Sequence, residues 1–194
     1  MYKAIVFDLD GTLVDSQLCF KTIRQQLDIP EGQYILEYLD RLPLEPRREK
    51  LSKLQEIEIH ASKRALPFGG VLDLLQELRN LKISTGIFTR NCRAATKHAI
   101  ESFSLQIDMI VTREDAPPKP DPAGIEKFLT KWNLQKHELL YVGDFRFDIE
   151  CGKLAGVKTA LFTNGQEYQN DLQPDHFISC FSLFWKQLRN APLS

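Results

Sequence analysis

Four short runs of near-continuous apolar residues punctuate the chain: KAIVFD at 3–8, ISTGIFT at 83–89, DMIVT at 108–112 and LLYVGD at 139–144, with KTALFT at 158–163 as a fifth. Short runs apolar on both faces and bounded by polar turns fit strands of a parallel sheet covered on each side. Between them the period changes. GVLDLLQELRNL sets Leu72, Leu75, Leu78 and Leu81 on one helical stripe. RAATKHAIESF, PAGIEKFLTKW and DIECGKLAGV supply three more helices, the last ending near Gly156. This alternation of strand and helix predicts an α/β fold with a doubly wound parallel sheet.

Residues 17–66 break the alternation, because they carry only helical patterns. In LSKLQEIEIHASKRAL the apolar positions Leu51, Leu54, Ile57, Ala61 and Ala65 step by three or four, which predicts an amphipathic helix. KTIRQQL and GQYILEYL predict two shorter helices, and LPLEP a loop or turn interrupted by Pro43 and Pro46. The expected organisation is an α/β core formed by residues 1–16 and 67–194, with a small helical cap at 17–66 inserted after the first strand.

Composition narrows the function classes. The 194 residues are 43% hydrophobic, enough for one compact core plus a modest insertion. With 25 basic and 26 acidic residues, no global field favours DNA, RNA or an anionic membrane, so a charged ligand must be held locally. The first residues lack a secretory pattern and no run of about 18 apolar residues occurs. Cys19, Cys92, Cys151 and Cys180 have no C-x-x-C spacing and read as reduced thiols, so the expected location is cytoplasmic.

The candidate chemistry collects at strand ends, where ligands of open α/β sheets gather. Asp8 and Asp10 follow the first strand, Thr89 the second, Lys119 lies in the loop after the third, and Asp144 and Asp148 follow the fourth. Like charges as close as Asp8 and Asp10 repel unless a positive charge lies between them. Calcium in an EF-hand does not supply it, since the loop would need Gly and Glu where Leu13 and Cys19 stand. Asp148 alone would equally serve as a helix cap. Arg41, Arg47, Arg48, Lys50 and Lys53 read mainly as a solvated helix face, with at most one or two turned to the crevice. His60, His98, His137 and His176 lack metal-ligand spacing, and Trp132 reads as helix packing.

DLDGT resembles the D-x-D-x-T signature of the haloacid dehalogenase-like superfamily of phosphotransferases. IFTR around Thr89, KPDP around Lys119 and GDFRFD around Asp144 and Asp148 resemble its remaining motifs in the same order, over residues 4 to about 163. The resemblance implies a Rossmann-like core and Mg²⁺, held by the Asp8 and Asp144 carboxylates and the Asp10 backbone carbonyl, with Asp148 holding a metal water or orienting Lys119. It further implies Asp8 as nucleophile, forming an aspartyl phosphate, and Asp10 as general acid and base. Thr89, the Arg90 amide and Lys119 are then expected around the phosphoryl oxygens. The expected activity is hydrolysis of a small phosphorylated metabolite, as in phosphoglycolate phosphatase and its relatives. A phosphomutase of the same superfamily and a non-catalytic binding protein retaining the fold are the competing readings.

Overall fold

The computed structural model describes residues 2–167 and 173–190. In chain order the elements are β1 (Ala4–Phe7), β2 (Val14–Asp15), α1 (Phe20–Gln26), α2 (Ile35–Asp40), α3 (Leu44–Ser62), β3 (Leu66–Pro67), α4 (Val71–Asn80), β4 (Ser84–Phe88) and α5 (Arg93–Phe103). They continue as β5 (Met109–Val111), α6 (Ala123–Trp132), β6 (Leu139–Gly143), α7 (Arg146–Ala155), β7 (Lys158–Phe162), β8 (His176–Ile178) and α8 (Phe181–Asn190).

Six strands form one parallel sheet in the order β5-β4-β1-β6-β7-β8. The chain therefore builds outward from β1 to β5, returns, and builds to β8 on the other side. The order reverses between β1 and β6, and at such a reversal the flanking connections diverge and leave a crevice at the carboxyl ends of the strands. Asp8 leaves β1 and Asp144 leaves β6, each at the lip of that crevice.

Alternation along the strands divides the interior into two layers. Ile5, Phe7, Leu140 and Val142 face a core closed by Val71, Leu74, Leu75 and Leu78 of α4 and by Phe181 and Phe184 of α8. Val6, Phe88 and Tyr141 face the opposite core, closed by Ile125 and Phe128 of α6 and by Cys151 and Ala155 of α7. The helical pattern of α4 thus holds, but its buried stripe differs from the expected one. Leu72 and Leu81 are exposed, because the 3.6-residue turn carries positions spaced strictly by three around the helix, and Val71 and Leu74 take their place. Trp132 packs against Phe128, as expected.

Helices α1 to α3 have a separate small core of Ile23, Leu27, Leu36, Leu39 and Leu54. The expected turn at LPLEP is overturned, since Leu44, Glu45 and Pro46 form the first turn of α3 behind Pro43. A proline there lacks only an N–H that the first turn leaves without an intrahelical partner anyway. Ala65 lies beyond the helix end, though buried. The segment leaves and rejoins the sheet through the two-stranded β2 and β3 pair, with Val14 opposite Pro67 and Asp15 opposite Leu66. These strands, along with β8 and α8, carry no apolar run of their own in the sequence reading.

Candidate active site

Residues Asp8, Asp10, Thr89, Arg90, Lys119, Asp144 and Asp148 all line one cavity of about 410 Å³ between the strand ends and helices α1 to α3. Its floor is set by backbone geometry. The Asp8 amide continues the β-ladder by donating to the Val142 carbonyl at 2.8 Å, and the chain then turns, with the amides of Leu13 and Val14 donating back to the Leu9 carbonyl at 2.9 and 3.0 Å. Gly11 has φ +86°, and a Cβ there would lie 2.3 Å from Asp144 Oδ2. Only glycine lets this turn approach the Asp144 carboxylate so closely. Thr12 Oγ1 donates to Asp144 Oδ1 at 3.0 Å, locking the two strand ends together.

Lys119 is the electrostatic centre. Its ammonium is 2% exposed and lies 2.7 Å from both Asp8 Oδ1 and Asp148 Oδ1. Burial alone would lower its pKa, but the Asp148 and Asp8 carboxylates outweigh that effect and hold it well above the usual lysine value. Asp148 is fully engaged: Oδ1 also accepts from the Tyr141 hydroxyl at 2.8 Å, and Oδ2 accepts from the Phe145 amide at 3.0 Å at the start of α7. It therefore both caps the helix and orients the lysine. Gly143 makes room for it, because a Cβ there would lie 2.2 Å from Asp148 Cγ.

Asp10 stands beside this cluster. Asn91 Nδ2 donates to Asp10 Oδ2 at 2.6 Å, while the Cys92 amide fixes the Asn91 side chain by donating to its Oδ1 at 2.9 Å. Burial pushes the Asp10 carboxyl up, against the pull of hydrogen bonds from Ser16 and Asn91. Thr89 is buried, and its Oγ1 accepts from the Asn91 amide at 3.1 Å, which leaves the hydroxyl proton available to donate. The Arg90 side chain turns away from the acids, donating to the Lys119 carbonyl at 2.8 Å and to Glu37 Oε2 of α2 at 2.7 Å.

Four carboxylates, Asp8, Asp10, Asp144 and Asp148, thus share the crevice floor with one ammonium. Burial, followed by the neighbouring Asp148 charge, pushes Asp144 up to about 7, and burial also raises Asp8 despite Lys119. Oxygens of Asp8, Asp144 and Asp148 lie within 4.8 Å of one another. A hard-oxygen donor set with surplus negative charge fits a small divalent cation.

Several contributors were hidden in the sequence. Tyr141 reads as one more aromatic of a buried strand, and Asn91 and Ser16 as ordinary turn residues. The five basic residues considered for the crevice stay outside the cavity: Arg47 pairs with Asp40 at 2.6 Å, and Lys53 donates to the Gln26 carbonyl at 2.6 Å. From α1 to α3 the cavity instead receives Arg24. Among the described residues no helix is long and apolar enough to cross a membrane.

The chain is 35% identical over 169 residues to an uncharacterised hydrolase of Saccharomyces cerevisiae, covering 84% of this chain and 78% of that protein. It is 27% identical over 197 residues to the pyrophosphatase PpaX of Halalkalibacterium halodurans, covering 91% and 92%. The fold matches a solved structure from Haemophilus somnus, of a protein predicted to be a phosphoglycolate phosphatase, with a TM-score of 0.72 at 18% identity over 96% of this chain and 98% of that one. The haloacid dehalogenase-like hydrolase model matches residues 5–162, the span that holds all seven acidic, hydroxyl and basic groups of the crevice floor, and the chain belongs to that family of enzymes.

Proposed function

We propose that the protein is a Mg²⁺-dependent phosphatase that hydrolyses a small phosphorylated metabolite through an aspartyl phosphate on Asp8. The observation that carries this reading is the pairing of Asp8, buried against Lys119, with Asp10, held by Asn91 at the same cavity floor. Mg²⁺ would be held by the carboxylates of Asp8 and Asp144 and the backbone carbonyl of Asp10, and would supply charge neutralisation for the phosphoryl group.

Lys119 opposes the burial that raises the Asp8 carboxyl and favours its ionised form, whose oxygen attacks phosphorus as the bond to the leaving oxygen breaks. Asp10, its carboxyl raised by burial, gives its proton to that oxygen. The deprotonated Asp10 then takes a proton from water, whose oxygen bonds to phosphorus while the Asp8–phosphorus bond breaks and phosphate leaves. Thr89 and the Arg90 amide donate to the phosphoryl oxygens, and Lys119 adds positive charge as negative charge shifts in the transition state. Asp148 and Tyr141 hold the lysine in place.

In this reading residues 17–66 are a cap on a core of 1–16 and 67–194, of which 1, 168–172 and 191–194 lie outside the described residues. The Glu37 ion pair to Arg90 and that of Glu58 to Arg113 hold the cap over the site. The four free cysteines, two of them buried, fit a reducing cytoplasmic setting.

The test is phosphate release from a panel of phosphorylated metabolites with and without Mg²⁺, for the parent and for Asp8→Asn. The variant is expected to lose activity by on the order of 10³-fold or more. Retention near the parental rate rejects Asp8 as nucleophile, and isomer formation without free phosphate identifies a mutase instead.

A further inference from the structure

Beside its charged groups the cavity has an apolar and aromatic lining from α1, the approach to α2 and the start of α7, formed by Phe20, Ile23, Tyr34, Leu36, Phe145 and Phe147. Tyr34 meets Phe147 edge-on, with ring centroids 4.7 Å apart at 64°, and Phe147 meets Phe145 at 5.3 Å and 79°. The Arg90 guanidinium lies over the Phe147 ring, 4.7 Å from its centroid, and holds that ring in place. Phe20, Tyr34 and Phe145 nevertheless remain 58%, 43% and 49% exposed. Rings this large, gathered at one cavity and still open to water, gain most from a ligand that covers them.

The charges leave one cation for the ligand. Two of the three cations lining the cavity are committed, Lys119 to Asp8 and Asp148, and Arg90 to Glu37 and the Lys119 carbonyl. Arg24 is the remaining one, and among the described residues its guanidinium has no hydrogen-bond or ion-pair partner. A leaving group that is itself a compact anion, as in pyrophosphate or phosphoglycolate, would find Arg24 as its one uncommitted cation but would leave the aromatic wall uncovered. The space is ample for a larger body, since 410 Å³ corresponds to more than a dozen waters at roughly 30 Å³ each.

We infer that the leaving group of the substrate carries an aromatic ring, joined to the phosphoryl group by a short linker and seated among Phe20, Tyr34 and Phe147. Arg24 meets an acceptor on that ring or its substituent. This assignment rests on the phosphatase reading and specifies its substrate class.

The experiment compares 3-phenylpropyl phosphate with propyl phosphate. Their leaving alcohols have nearly the same acidity, so a rate difference reports recognition of the ring and not intrinsic reactivity. With Mg²⁺ present, kcat/KM for the phenyl ester is expected to be about tenfold higher or more, the difference lying mainly in KM. Pyrophosphate and 2-phosphoglycolate are expected to fall below the phenyl ester. Phe20→Ala and Tyr34→Ala each shrink the ratio between the two esters. Calorimetry with 3-phenylpropylphosphonate and propylphosphonate repeats the comparison without turnover, and the phenyl compound is expected to bind about tenfold tighter.

Equal kcat/KM for the two esters, equal binding of the two phosphonates, or preferred turnover of pyrophosphate or phosphoglycolate overturns the aromatic assignment. Tighter binding of the phenyl phosphonate without hydrolysis of any ester overturns the phosphatase reading while leaving the aromatic wall standing.

Discussion

At the scale of single residues, the site depends on atoms that do no chemistry themselves. Tyr141 has one hydroxyl proton, and the 2.8 Å contact to Asp148 Oδ1 takes it in preference to the Phe88 carbonyl at 3.3 Å. Tyr141→Phe removes a buried hydrogen bond to a carboxylate that steers Lys119. We expect a stability loss of about 1.5 to 3 kcal/mol by urea unfolding, and a lower kcat with KM little changed. Gly11→Ala is harsher, because it combines a left-handed backbone angle with a Cβ 2.3 Å from Asp144 Oδ2. The Gly11 variant is expected to lose most activity and to bind Mg²⁺ more weakly by calorimetry, while circular dichroism remains that of a folded protein. Asp8, Asp10 and Asp144 stood out in the sequence because a carboxylate at the end of a buried strand demands a reason, whereas Lys119 and Asp148 were lifted only by the order of the motifs around them. Tyr141 and Asn91 did not stand out, since a tyrosine in an apolar strand and an asparagine after one need no explanation until their partners, up to 81 residues away, are seen.

Elements were legible where burial imposes a period. The five short apolar runs are strands, covered on both faces except at the edge strand β5, where Ile110 is exposed, and α5, α6 and α7 follow their stripes closely. The start of α3 was not legible, because prolines mark both loops and first turns. Nor was its role in docking. Glu58 sits on the face of α3 turned to the sheet domain, where it pairs with Arg113 and its Oε2 accepts from the Cys92 amide at 3.2 Å, the two charged side chains being 8% and 10% exposed. A charged residue in a Leu and Ile stripe reads as surface unless its partner is known. Burial pushes the Glu58 carboxyl up, against the pull of Arg113 and the Cys92 hydrogen bonds, so the ion pair is what favours its charged form. Glu58→Gln leaves Arg113 buried without its counter-ion and is expected to cost about 3 kcal/mol in urea unfolding. Replacing both partners, as in Glu58→Leu with Arg113→Leu, should recover part of that loss, and a double variant no more stable than the single one would reject the pair as the source.

For the molecule as a whole, the six-stranded sheet is tied at both edges by a carboxylate that gathers a neighbouring threonine and a basic side chain. At β5, Asp115 Oδ2 accepts from the Thr112 amide and hydroxyl at 2.9 and 2.7 Å, and Oδ1 pairs with Arg93 at 2.6 Å. At β8, Asp175 Oδ2 accepts from the Thr159 amide at 2.9 Å, and Oδ1 pairs with Lys158 at 2.7 Å. Partial burial works to raise both carboxyls, but these hydrogen bonds and ion pairs prevail and hold both below the ordinary value. A depressed native pKa means that the folded state favours the ionised form. Its stabilisation is fully present above the unfolded carboxylate pKa of about 3.9 and is lost as pH falls through the lower native values. The variant Asp115→Asn with Asp175→Asn is therefore expected to be less stable than the parent at pH 7. The gap should narrow steadily as pH falls below about 4, where the parent's own carboxylates become protonated. Urea midpoints for both proteins between pH 3 and 7 measure it. The acids of the crevice are present in both proteins and titrate alike, so they cancel in the difference, and a gap that stays constant across that range would show that the sheet edges do not depend on these charges.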